Sequence, residues 1–136
     1  MPMQNIAICG SMTFIEQMRA LCNELEAKGH RVFLPQDDEF DYQMRNAEAQ
    51  IARKQKYIDD HLTKIRMSDA VLIANYDKHG VAGYIGPNTL MEMAFAYALG
   101  KEIWLLHAPG AQACQVEVLG LQPTVLEGFL QHLPNK

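Results

Sequence analysis

One short stretch, Ala70-Val71-Leu72-Ile73-Ala74-Asn75, narrows the choice of folds more than any other in the chain. A run of apolar side chains with no polar alternation suits a strand covered on both faces, the environment of a central strand in a parallel sheet. Parallel neighbours need long crossovers, usually helices, and those connections are right-handed. The flanking sequence supplies them. Asn5-Ile6-Ala7-Ile8-Cys9 reads as a first buried strand, ended by Gly10-Ser11. From Thr13 to Lys28, Phe14, Met18, Leu21, Cys22 and Leu25 recur at helical spacing, with Thr13 and Glu16 spaced as a capping box and Gly29 as the stop.

Arg31-Val32-Phe33-Leu34-Pro35 reads as a second strand, stopped by proline. The acidic stretch Gln36 to Asp41 follows as a loop near the mouth of a site. Tyr42 to Met67 lacks Pro and Gly and predicts one long helix or two, with Ile51, Ile58, Leu62 and Ile65 facing inward. After the central strand comes a polar, glycine-containing loop, Tyr76 to Asn88. A helix over Thr89 to Leu99, a strand over Glu102 to His107, a short helix over Gln112 to Leu119, a strand over Thr124 to Leu126 and a terminal helix over Glu127 to Leu133 complete the chain. The alternation predicts one α/β domain over residues 1–136, an open five-stranded parallel sheet with helices on both faces. No internal repeat or linker interrupts it.

Charge and cysteine usage exclude several classes of function. The net charge is −4, and the basic residues between Arg45 and Arg66 are diluted by Glu48, Asp59, Asp60 and Asp69, so no nucleic-acid polymer is expected as a partner. No apolar run is long enough to span a bilayer, so no membrane association is expected. The first residues, Met1-Pro2-Met3-Gln4-Asn5, lack the basic start and cleavage site of a signal peptide, and a cytoplasmic location is expected. Cys9, Cys22 and Cys114 show no paired spacing, and the histidines show no ligand spacing. Neither a disulfide framework, nor a metal site, nor a cofactor is expected from them. Cys9 and Cys22 read as small buried hydrophobes.

Ligands of open α/β sheets bind beyond the carboxyl ends of the strands, where strand order reverses. This points to the loops after the first, third and fourth predicted strands. Glu92 follows the loop Gly83-Tyr84-Ile85-Gly86-Pro87-Asn88 and falls in the first turn of a helix capped by Asn88 or Thr89. A helix N-terminus favours an ionised carboxylate, although Thr89-x-x-Glu92 is also a purely structural capping box. Gly10 and Ser11 offer backbone amides and a hydroxyl to an anion or a sugar. Asn75 and Asp77, at the carboxyl end of the central strand, are placed for ligand contact. Asp69, at its amino end, is of a type common in turns and caps. Tyr76 and Tyr84 are candidates for stacking or for covering the core.

Three stretches carry a resemblance. They are Ile8-Cys9-Gly10-Ser11, then Ile65-x-x-Ser68-Asp69-Ala70-Val71-Leu72-Ile73-Ala74, then Asn88-Thr89-Leu90-Met91-Glu92-Met93-Ala94-Phe95-Ala96-Tyr97-Ala98-Leu99-Gly100-Lys101. Together they resemble the nucleoside 2-deoxyribosyltransferases and the related 2'-deoxynucleoside 5'-phosphate N-hydrolases. The resemblance implies a flavodoxin-like (Rossmann-like) sheet, a homodimer or higher homo-oligomer, and a nucleoside or nucleotide as the small-molecule substrate. It implies Glu92 as the nucleophile or as the carboxylate that stabilises the sugar cation, and Asp69 as a catalytic aspartate beside the site that positions substrate or handles protons. It also implies Gly10 and Ser11 as the loop that contacts sugar or phosphate; Asn75, Gly86 and Asn88 join the expected substrate-binding set by their place at the carboxyl edge of the sheet. The chain differs from these relatives at three places. It has Gly86-Pro87-Asn88 where the transferases carry a further aspartate, Thr13 where the phosphate hydrolases carry an arginine, and His61 where an aspartate is common. The alternative reading is a non-catalytic nucleoside- or nucleotide-sensing domain on the same scaffold.

Overall fold

The computed structural model describes residues 3–36 and 46–134. Five parallel strands, β1 (Asn5–Cys9), β2 (Arg31–Phe33), β3 (Ala70–Ile73), β4 (Glu102–Leu105) and β5 (Thr124–Val125), form one sheet in the order β2-β1-β3-β4-β5. That is the flavodoxin-like order, with its switch point between β1 and β3. The registers are regular, with Ile6 opposite Ala70 and Cys9 opposite Ile73 in the central pair. Four helices complete the fold: α1 (Ile15–Ala27), α2 (Ala47–Arg66), α3 (Pro87–Ala98) and α4 (Gln115–Gly120). The open parallel α/β architecture expected from the sequence is the one observed.

Successive strand residues point to opposite faces, and this sorts the core into two halves. Ile6, Ile8, Leu72 and Trp104 pack with Met18, Leu21 and Leu25 of α1 and with Leu126, Leu130 and Leu133. Ala7, Cys9, Val71, Ile73, Ile103 and Leu105 pack with Ile65 of α2, Met93 and Ala96 of α3 and Val118 of α4. All four residues of β3 are fully buried, as its unbroken apolar run requires.

Several local expectations are corrected. The Thr13 capping box does not form. Ser11 instead accepts from the Thr13 amide and caps a 3-10 turn, Met12–Phe14, that leads into α1. Helix α3 begins at Pro87, with Gly86 as its N-cap and no side-chain cap. Proline suits the first helical position because it has no N–H to leave unpaired. Glu92 therefore falls in the second turn of α3, not the first.

Ile51 is 68% exposed rather than inward-facing. A 20-residue helix is about 30 Å long, against roughly 10–17 Å for strands of 3–5 residues, so the start of α2 overhangs the sheet. The predicted terminal helix is only a 3-10 turn, Leu130–His132. Glu127 (φ 54°) and Gly128 (φ 85°) are both left-handed, which breaks any helix through them. The expected loop at 37–41 and the expected helical start at 42–45 lie outside the described residues.

Candidate functional site

A cavity of about 210 Å³ opens at the carboxyl ends of β1 and β3, at the switch point. The loop after β1 contributes Gly10, Ser11 and Met12. Gly10 permits a close approach, since a Cβ there would come within 3.1 Å of the Ala74 carbonyl. The loop after β3 contributes Lys78, Tyr84 and Gly86, and the start of α3 contributes Pro87, Asn88 and Thr89. From α2 come Arg53, Lys54 and Tyr57. Lys78 donates to Ser11 Oγ (2.8 Å) and Thr13 Oγ1 (3.0 Å), joining the two loops across the mouth. With the first turn of α3 lacking a side-chain cap, its amides and positive dipole end add to three cationic side chains. The wall suits an anion.

Glu92 lies beneath this wall. It shares a face of α3 with Asn88 and Thr89, one turn deeper, and is only 4% exposed. Burial pushes its carboxyl up to about 8, against the opposing pull of Lys54 and Lys64. Neither carboxylate oxygen has a hydrogen-bond partner among the described residues. Beside it lies His61 of α2, with Nε2 3.4 Å from Oε2. His61 is itself buried, and desolvation, aided by Lys64, lowers it to about 4 despite Asp60 and the Ile8 carbonyl. Its ring stacks at 12° on Tyr57 of the cavity wall. Cys9 Sγ lies 3.3 Å from His61 Nε2, and burial first, then Glu92, raises its thiol. Burial thus favours the uncharged acid, imidazole and thiol where these three side chains meet.

The expected site residues divide into two groups. Gly10, Ser11, Gly86 and Asn88 line the cavity together. Glu92 is adjacent to it, one helical turn below Asn88 and Thr89, and is not among the residues that line it. Asn75 does not line it. Its amide clamps the strand ends, accepting from the His107 amide (3.0 Å) and donating to the carbonyls of His107 (2.7 Å) and Gly83 (3.5 Å). Asp77 likewise accepts from the Gly83 amide. Asp69 is exposed at the amino end of β3, where it accepts from the Asn5 amide at 2.8 Å. It is not brought to Glu92, because the two occupy opposite ends of the sheet. Tyr76 packs against Phe14 and His107, while Tyr84 lines the cavity.

Four contributors escaped sequence reasoning. Lys78 sits in an irregular loop with no periodic signal. Arg53, Lys54 and Tyr57 were visible as a mixed-charge helix, but only the packing of α2 across β1 turns them toward the cavity. The meeting of Cys9 and His61, 52 residues apart, has no local spacing at all.

The sequence model described as nucleoside 2-deoxyribosyltransferase matches residues 8–126. No curated protein matches the sequence. Among solved structures, a conserved protein from Enterococcus faecalis V583 aligns with a TM-score of 0.60 at 18% identity, over 93% of this chain and 92% of that one. The Clostridium botulinum CMP N-glycosidase aligns at 0.52 and 18% identity, over 89% and 84%. A 2-deoxyribosyltransferase from Bacillus psychrosaccharolyticus aligns at 0.52 and 19%, over 80% and 76%. At these identities the structures support the shared fold.

Proposed function

Because the chain belongs to the nucleoside 2-deoxyribosyltransferase family, we propose that it breaks the N-glycosidic bond of a (deoxy)ribonucleoside 5'-phosphate with Glu92 as nucleophile. The observation that carries the reading is a buried, unpartnered carboxyl one helical turn below a cation-lined cavity at the switch point. In its ionised form Glu92 attacks the anomeric carbon, and the bonding pair of the C–N bond leaves with the base. The glycosyl ester so formed passes the sugar to water or to a second base. Water gives a hydrolase and a base gives a transferase. Asp69 has no part in this scheme, and Asn75 acts by holding the loop.

The phosphate preference rests on Lys78. Relatives that hydrolyse nucleotides carry an arginine where this chain has Thr13, and here Lys78 reaches Thr13 and Ser11 from another loop. A cation is therefore present at the equivalent place, delivered by a different element. The family resemblance also implies a homo-oligomer, and exposed apolar residues on α2 and α4 offer surface for one.

The test is release of free base from paired nucleosides and 5'-monophosphates, followed by chromatography with a chelator present. Glu92→Gln is expected to lose about 10³-fold or more in kcat. Lys78→Ala is expected to weaken the monophosphate by about 10- to 100-fold in kcat/KM, the worth of a charge-assisted hydrogen bond, and to leave the nucleoside unchanged. Full turnover by Glu92→Gln removes the nucleophile assignment. The depth of Glu92 favours a second reading, a nucleotide-sensing domain. That reading predicts a ligand-raised Tm with no base release.

A further inference from the structure

Beneath the cavity floor, Cys9 of β1, His61 of α2 and Glu92 of α3 turn a thiol, an imidazole and a carboxyl toward one point. Their donor atoms all lie within 4.8 Å of one another. Sγ and Nε2 are 3.3 Å apart, and Nε2 and Oε2 are 3.4 Å apart. Zinc bonds of about 2.0–2.3 Å place tetrahedral donors roughly 3.4–3.6 Å from each other. Two edges of the triangle already have that size. We propose that these three side chains form a site for a zinc-class divalent cation, and that loading it withdraws Glu92 from glycosidic chemistry.

Polar satisfaction supports the site independently of its geometry. Both Glu92 oxygens are buried with no hydrogen-bond partner among the described residues. Such groups are costly to bury unless something answers them. A divalent cation would do so with little net charge. On binding, the Cys9 S–H and Glu92 O–H protons pass to solvent. The thiolate and carboxylate then neutralise the cation, and the imidazole ligates as a neutral base. The donor set also selects the metal, because one sulfur, one nitrogen and one oxygen suit zinc or cobalt and not magnesium or calcium.

Entry is set by the surroundings. Cys9 precedes Gly10, His61 stacks on Tyr57, and Glu92 lies one turn from Thr89, and all three of these neighbours line the cavity. The cavity is therefore the side from which a cation would reach the site. The inhibitory half of the proposal rests on the proposed role of Glu92; the binding half does not.

Cobalt is the probe, added to chelator-stripped protein. One equivalent is expected to bind with a thiolate-to-cobalt charge-transfer band in the near ultraviolet, and zinc should displace it. Cys9→Ala should lose that band. His61→Ala and the near-isosteric Glu92→Gln should each weaken cobalt by about 10-fold or more, with circular dichroism confirming a folded chain. Zinc should suppress base release in the wild type far more than in Cys9→Ala, each scaled to its own chelator-treated rate. Absence of the band, or unchanged cobalt affinity in both Cys9→Ala and Glu92→Gln, overturns the site. Cobalt binding without base release by chelated wild type leaves the site standing and removes the glycosidic reading instead. Base release that zinc does not suppress in cobalt-binding protein removes the inhibitory half.

Discussion

Burial pushes the Glu92 carboxyl above the ordinary glutamate range, and the chemistry expected of it and its cost to the fold follow from that shift. Only the ionised form is a nucleophile, so base release should rise with pH and level off above about pH 8, the point to which burial pushes the group. The same shift acts on stability. The folded state holds the proton up to about 8, whereas an exposed glutamate gives it up near 4.5, so stability falls as pH rises between these limits. Glu92→Gln cannot ionise and escapes that loss. Its advantage over the wild type is expected to be small near pH 4.5 and to widen through pH 8, reaching on the order of 4 kcal/mol. His61, lowered to about 4, works in the opposite sense, losing stability as pH falls from 6.5, but it is common to both proteins. Urea unfolding of the pair at pH 5, 7 and 9 checks this, and a gap that does not change with pH refutes it. Sequence alone had placed Glu92 at a helix start with a capping explanation. The structure moves it to the second turn, where no free backbone amide is within a cap's reach and burial dominates.

At the scale of the element, the loop between β3 and α3 is held by its own turn, closed by the paired Lys78 and Val81 backbone bonds, and by packing against distant segments. Gln112 donates to the carbonyls of Gly83 (3.2 Å) and Gly110 (3.1 Å) and accepts from the Ile85 amide (2.9 Å). The Gly110 amide donates to Ala82 at 2.7 Å, and Asn75 closes the other side. Gly83 has φ +58°, and a Cβ on it would collide with the Ala108 carbonyl oxygen. Gly80 in the same loop is also left-handed, at φ +71°, but faces open space. Gly83→Ala is therefore expected to cost on the order of 3 kcal/mol and to reduce base release with it, whereas Gly80→Ala should cost about 1 kcal/mol. Equal losses in denaturant melts would show that the loop is not clamped at Gly83. The glycines were legible in the sequence as a loop. Which of them bears the contact was not, because that depends on a second loop 25 residues on.

For the whole molecule, the layer of α2, α3 and α4 leaves several large apolar side chains exposed. Ile51 is 68% exposed and Val116 78%, with Tyr97 and Leu119 also open. A homodimer through this layer is expected. Light scattering should give twice the 15.4 kDa chain mass, and Ile51→Asp combined with Val116→Asp should return the monomer. A monomeric wild type, or a dimer indifferent to both changes, excludes it. The sheet itself was determined by sequence, since unbroken apolar runs at β1, β3 and β4 have one stable environment, a layer covered on both faces. The family resemblance and the placement of Glu92 early in the helix that follows the glycine-containing loop were legible too, because both are carried by contiguous residues. Tertiary structure alone decided what Glu92 meets. It set His61 and Cys9 beside it, brought Lys78 to Ser11, and sent Asp69 to the far edge. Local periodicity records which face of an element is buried. Which side chains converge there depends on how far α2 overhangs the sheet and where the crossing loops land, and those are properties of packing between distant segments.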